Sequence, residues 1–126
     1  DMSGIGPFIP HPDTPLGNHT SGSVAMTLKM IAVARIIMPL VLLPATTSLA
    51  TLAPNGRELS LRAGANVIMP NVSPQEFRAF YAIYPNKASS PDPINETRRR
   101  LIALIEGENR TVGQDFGHSP KAQFQQ

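Results

Sequence analysis

Prolines at positions 7, 10, 12 and 15 forbid helix from Gly4 to Leu16, because each removes a backbone donor and drives the preceding residue toward extended conformations. The stretch Gly4-Ile5-Gly6-Pro7-Phe8-Ile9-Pro10-His11-Pro12-Asp13-Thr14-Pro15-Leu16 starts as an apolar run and breaks into that proline series. It reads as a buried strand emptying into a stiff loop, with only its first residues able to pair in a sheet. A rigid loop after a strand is a good place to hold a ligand.

The rest of the chain alternates in type. Ser23 can cap a helix from about Val24 to Met38, which Pro39 stops. Its only charges are Lys29 and Arg35, and a helix apolar on most of its surface is either buried or in a membrane. A membrane span is disfavoured because Arg35 and Pro39 fall mid-run and the helical part is under the roughly 20 residues needed to cross. Leu40 to Ala45 is a continuous β-favouring run, expected to be covered on both faces of a parallel sheet. Pro54-Asn55-Gly56 is a turn, Arg57 to Ala63 a short helix, Gly64 its left-handed cap, and Asn66 to Met69 another short strand. Ser73-Pro74-Gln75-Glu76 has the form of a capping box. It predicts a helix bearing Phe77, Phe80, Tyr81 and Tyr84 and ended by Pro85, with core packing as the default role of its aromatic residues. Asn95 is expected to cap a last helix to about Ile105, and the polar stretch from Gly107 onward has little to bury.

Strand, helix, strand, helix, strand, helix with short links argues for parallel βα units. Three units cannot close a barrel; they match the last part of an eightfold barrel or half of a doubly wound sheet. Residues 1–86 would carry these units, 87–117 a loop and C-terminal helix, and 118–126 a flexible tail. The chain opens on Asp1 inside an apparent element, with no initiator Met and no signal-peptide pattern, and so reads as a piece of something longer.

Composition excludes several classes. The 41% hydrophobic and 16% charged content is that of a packed domain. A net charge of +2, with basic residues scattered except at Arg98, Arg99 and Arg100, argues against a nucleic-acid partner. There is no cysteine, hence no disulfide, no thiolate metal site and no cysteine nucleophile. His11-Pro12-Asp13 suggests a metal pair, but the intervening proline is expected to hold the two side chains apart. Four Asn-x-Ser/Thr sequons carry no meaning without a secretory signal.

In parallel α/β architecture ligands bind at the carboxyl ends of strands. The candidates are therefore Pro10 to Thr14, Thr46 and Thr47, and Met69 to Asn71, where each apolar run turns polar. The two threonines offer hydroxyls at a strand mouth or simply cap it. No acid/base pair or nucleophile elbow is recognisable, so the residues alone suit binding in an apolar pocket.

The opening stretch, Thr27-Leu28-Lys29-Met30-Ile31-Ala32-Val33-Ala34-Arg35-Ile36-Ile37-Met38-Pro39, Pro44-Ala45-Thr46-Thr47 and Gly64-Ala65-Asn66-Val67-Ile68-Met69-Pro70-Asn71 together resemble the C-terminal part of the HydE-type radical S-adenosylmethionine maturases of FeFe-hydrogenase. Biotin synthases share the Ile31 to Pro39 type of helix and the Gly-Ala-Asn turn, and are the alternative. The resemblance implies a partial (β/α)8 TIM barrel, the last three βα units plus a C-terminal helix. It also implies a 4Fe–4S cluster and S-adenosylmethionine at the top face of the whole barrel, a cytoplasmic location, and partnership with the missing N-terminal part of the barrel and other hydrogenase maturation proteins. Carried over, Gly6, Phe8 and Ile9 would line the adenine end of the cofactor site. Thr46, Thr47, Met69, Tyr81 and Tyr84 would line the substrate cavity.

Two departures from that family count. The cysteine triad that binds the catalytic cluster is absent. At the spacing C-x7-C-x2-C of an accessory cluster stand Ser89, Thr97 and Arg100. The isolated chain is thus expected to have no radical activity. A non-catalytic docking piece that complements an N-terminal half is the rival reading.

Overall fold

A computed structural model describes residues 1–81, 83–87 and 92–121. Ser89 and residues 122–126 of the expected tail lie outside these. The elements in order are α1 (Val24–Ile37), β1 (Pro44–Ala45), α2 (Thr47–Leu52), α3 (Gly56–Ala63), β2 (Val67–Ile68), a 3₁₀ helix (Gln75–Tyr81) and α4 (Ile94–Gly107).

Helix α1 forms where its cap and its stop predict. The Ser23 side chain accepts from the Met26 N–H, and the Arg35 guanidinium donates to the carbonyls of Met38 and Pro39 past the helix end. β1 and β2 are parallel, with Pro44 opposite Val67 and Ala45 opposite Ile68. A third parallel line is added just before the opening stretch, by a single bridge from Met2 to Leu42. The strand expected from the first residues of the opening stretch is not formed among the described residues: the prolines begin at Pro7, and the Phe8 carbonyl accepts from the Gly22 N–H at 2.8 Å.

Side chains alternate along an extended chain, and Val41, Leu43 and Ala45 all turn into the core beside Ile31, Ala34, Leu49 and Ala65. Full burial of Ile31, Leu43 and Leu49 stabilises by about 1.5–3 kcal/mol each. Helix α3 packs against α1, α2 and β1. Its left-handed cap at Gly64, with φ of 119°, opens a turn into which several elements tie. Arg35 Nε donates to the Gly64 carbonyl at 2.9 Å. Asn66 Oδ1 accepts from the Leu43 N–H at 2.8 Å, and the Asn66 N–H donates to the Leu43 carbonyl at 2.9 Å.

Three local expectations are corrected. A helix α2 follows the first threonine of the pair, with Thr46 as its N-cap. The aromatic segment is a 3₁₀ helix, not an α-helix: the Ser73 N–H donates to Asn71 Oδ1 and so is not available to Glu76 for a capping box. Tyr84 falls beyond its end, and Phe77, Phe80 and Tyr81 are exposed, not core. The N-cap of α4 is Pro93, with Asn95 inside the first turn.

Helix α4 has no fully buried residue among those described. It is tied to α3 by a two-pronged contact from Arg62 to Glu108, with both nitrogen–oxygen distances 2.7 Å. That guanidinium holds the Glu108 carboxyl below the usual carboxylate range. No helix among the described residues is long and apolar enough to cross a membrane.

Candidate functional site

Of the three strand mouths named from the sequence, those at Thr46 and at Met69 lie where the parallel strands end. At the first, Gly6 meets Thr46 and Ser48: a side chain added at Gly6 would sit 2.6 Å from Ser48 Oγ and 2.9 Å from Thr46 Oγ1. The opening stretch and the threonine mouth are thus neighbours in space, although forty residues separate them in sequence. Thr46 Oγ1 accepts from the Leu49 N–H at 3.4 Å and from Ser48 Oγ at 3.2 Å, which satisfies one of the orphan donors at the start of α2. The Thr47 carbonyl accepts from Thr51 Oγ1. Both threonines are half-buried.

Next to this mouth, Pro7 is buried, Ile9 half-buried and Phe8 exposed. Met69, directly after β2, is 50% exposed.

The second cluster is a pocket of about 270 Å³ whose wall includes His11, Asn71, Arg78, Tyr81, Tyr84 and Lys87. It joins the proline loop, the segment after β2 and the 3₁₀ helix. Arg78 is held by its own bonds, Nε to the Ser73 carbonyl and Nη1 to the Asp92 carbonyl, each 2.9 Å. Lys87 Nζ donates to the Tyr81 carbonyl at 3.0 Å. Among the described residues the wall carries two cations, two phenols, two amides and an imidazole, and no carboxylate. Such a wall offers hydrogen-bond donors and positive charge to a polar or anionic group.

The structure therefore brings Gly6 to Thr46, and Tyr81 to Tyr84 and His11. Thr46, Thr47 and Met69 do not line the tyrosine pocket. Arg78 and Lys87 were not singled out from the sequence, because a cation on a short exposed segment has the same signature whether or not a pocket forms beside it. The expected separation of His11 and Asp13 is also corrected. Pro12 suits the second position of the turn in which the Thr14 N–H reaches the His11 carbonyl. That turn brings the Asp13 N–H onto His11 Nδ1 at 3.2 Å and Asp13 Oδ2 to within 3.7 Å. Among the described residues no three His, Asp or Glu side chains gather, and the chain has no cysteine. A 4Fe–4S cluster, which is held by cysteine thiolates, does not fit the residues of this chain.

Parallel strands joined through helices, with polar groups past the strand ends, define an α/β domain. Residues 5–116 match the model of the Biotin and Thiamin Synthesis associated domain; the chain belongs to that family. It is similar to the [FeFe] hydrogenase maturase subunit HydE of Thermotoga maritima, at 48% identity over 117 residues, which are 93% of this chain and 34% of that protein. It is also similar to the 3-methylornithine synthase of Methanosarcina acetivorans, at 30% identity over 128 residues, 99% of this chain and 33% of that protein. The chain spans about a third of the length of the curated relatives it matches.

Proposed function

We propose that this chain is the C-terminal three βα units and last helix of a HydE-type radical S-adenosylmethionine barrel, acting in FeFe-hydrogenase cluster maturation. In this reading it supplies walls of the cofactor and substrate sites, while the cluster ligands belong to an N-terminal part of the barrel. The observation that carries the reading is the close approach of Gly6, in the extended opening stretch, to Thr46 and Ser48 at the end of β1, in a chain 48% identical to HydE. It supports a single continuous rim on which both ligands would sit. On the cofactor side Gly6, Ile9 and the exposed Phe8 ring offer an apolar surface for an adenine. On the substrate side Thr46, Thr47 and Met69 would form one wall, and Tyr81 and Tyr84, with their pocket, another.

S-adenosylmethionine, once reduced by a cluster, supplies a 5′-deoxyadenosyl radical. The residues here bind, orient and exclude water, and none is asked to transfer an electron. The sheet edges beside Met2 and β2, unpaired among the described residues, and the exposed side chains of Met26, Met30, Val33 and Ile37 along α1 support an N-terminal part of the barrel as the first partner. By the same resemblance other hydrogenase maturation proteins would be partners, and the location cytoplasmic.

The test uses reconstitution with iron and sulfide, followed by reduction. The chain alone should form no 5′-deoxyadenosine. Co-expressed with the preceding two thirds of the Thermotoga maritima protein, it should co-purify and form it. Product from the chain alone, or failure of the two parts to associate, would overturn the reading.

A further inference from the structure

The last described segment of the chain crosses the N-terminal ends of the strands, away from Thr46 and the tyrosine pocket. At one end Arg110 Nη2 donates to the Leu61 carbonyl at 2.9 Å and Nη1 to the Ala65 carbonyl at 3.4 Å, just before β2. At the other, Ser119 is buried and Lys121 Nζ lies 3.0 Å from Asp1 Oδ1, beside the opening stretch. Both ends are held.

The middle is not. Between Thr111 and His118 the hydrogen bonds are local, Gln114 Nε2 to the Val112 carbonyl and the Gly117 N–H to Asp115 Oδ1. None joins this segment to the sheet among the described residues. Val112 is half-buried and every other residue from Thr111 to His118 is exposed. Glycines stand at 113, where an added Cβ would meet only Asp115 Oδ1 at 3.7 Å, and at 117, which has open space around it and a φ of 70°, and glycine turns at such points without steric strain. Beneath the segment is a cavity of about 740 Å³, with Met2, Leu42 and Val67 on the sheet side and Val112 and His118 on the other.

A segment tied at both ends, unbonded in its middle and resting on one half-buried valine belongs to the low-stability end of a fold. We propose that residues 111–118 are a strap that swings on Gly113 and Gly117 and opens and closes this cavity at the N-terminal ends of the strands. The strap, its ties and the cavity all lie within this chain, so the inference stands apart from the barrel reading.

The absence of cysteine makes a single introduced thiol a clean probe. Val67→Cys places it on the cavity wall, and Val72→Cys, at a position 63% exposed, is the reference. A bulky maleimide should label the first at least about tenfold more slowly than the second, since it waits for an opening. Adding Val112→Asp should remove most of that difference while far-ultraviolet circular dichroism stays unchanged. In the unmutated chain, amide exchange at 113–118 should be fast, whereas the Ser3 and Leu42 amides, each bonded to a backbone carbonyl at 2.9 Å, should be protected. Equal labelling of the two thiols, or strap amides as slow as Ser3 and Leu42, would overturn the proposal.

Discussion

Gly6 shows how a single atom's absence places two segments. With Ser48 Oγ and Thr46 Oγ1 2.6 and 2.9 Å from where its Cβ would be, Gly6→Ala must push the two mouths apart. The expected loss is about 1–3 kcal/mol, the usual cost of overpacking, read by chemical denaturation. Ser48→Ala in the same chain should recover part of it, because Ser48 Oγ is the nearest obstacle; strict additivity of the two changes would show that the contact is not the cause. Arg35 acts in the opposite sense, by reaching. Its side chain donates to the carbonyls of Gly64, Met38 and Pro39, so it holds the end of α1 and the turn before β2 together. Arg35→Met keeps the apolar stem and removes the donors. It should lower stability by about 1.5–3 kcal/mol, the range for hydrogen bonds to charged groups, and an unchanged unfolding midpoint would contradict the assignment. Both charges of α1 were legible in the sequence, but only the folded turn shows which one is structural.

Among the elements, α4 depends on polar ties more than on burial. Its Arg62–Glu108 contact holds the Glu108 carboxyl low, chiefly through the hydrogen bond from Arg62. A carboxylate whose folded pKa is depressed contributes stability above its unfolded pKa and loses it as pH falls through the lower folded value. Amides in the last turn of α4 should therefore exchange faster as pH drops below the usual Glu range, after correction for intrinsic rates. Glu108→Gln should remove that dependence, and a pH response surviving the substitution would point to another group. The same scale shows why the aromatic segment was misread. Ser73-Pro74-Gln75-Glu76 carries a helix-start signal, and the spacing of Phe77, Phe80, Tyr81 and Tyr84 fits a helical face. Asn71 then claims the Ser73 N–H from outside the window. Helix α2 was hidden for a related reason: threonine favours strands by propensity, and Thr46 becomes a helix cap only because its chain turns at the end of β1.

At the scale of the whole molecule, burial is one-sided. Ile31 and Ala34 turn into the core while Met26, Met30, Val33, Ile36 and Ile37 stay exposed on the same helix, Ile36 at 80%. A continuous exposed apolar face of this kind drives association. The free chain should self-associate in sedimentation, and Ile36→Lys with Ile37→Glu should shift it toward monomer with little change in stability. Continued association of that variant would place the contact elsewhere. The face also explains the reading of α1 from sequence: a nearly uniform apolar helix promises a large buried surface, but its partner is not written into its own residues.

Some of this protein followed from sequence alone. The positions of α1, α3 and β2, the parallel pairing of β1 with β2 and the strand ends before Thr46 and Met69 rest on caps, prolines and apolar runs that act within a few residues. The opening stretch was legible as stiff and extended for the same local reason. Tertiary structure alone decided that sheet pairing stops at Met2, before that stretch, among the described residues, that Gly6 lies against Thr46, that His11 joins Tyr81 and Tyr84 at one pocket, and that the C-terminal segment returns to Asp1. Each of these joins residues far apart along the chain, and such contacts are set by which surfaces meet once the core around Leu43 and Leu49 has closed.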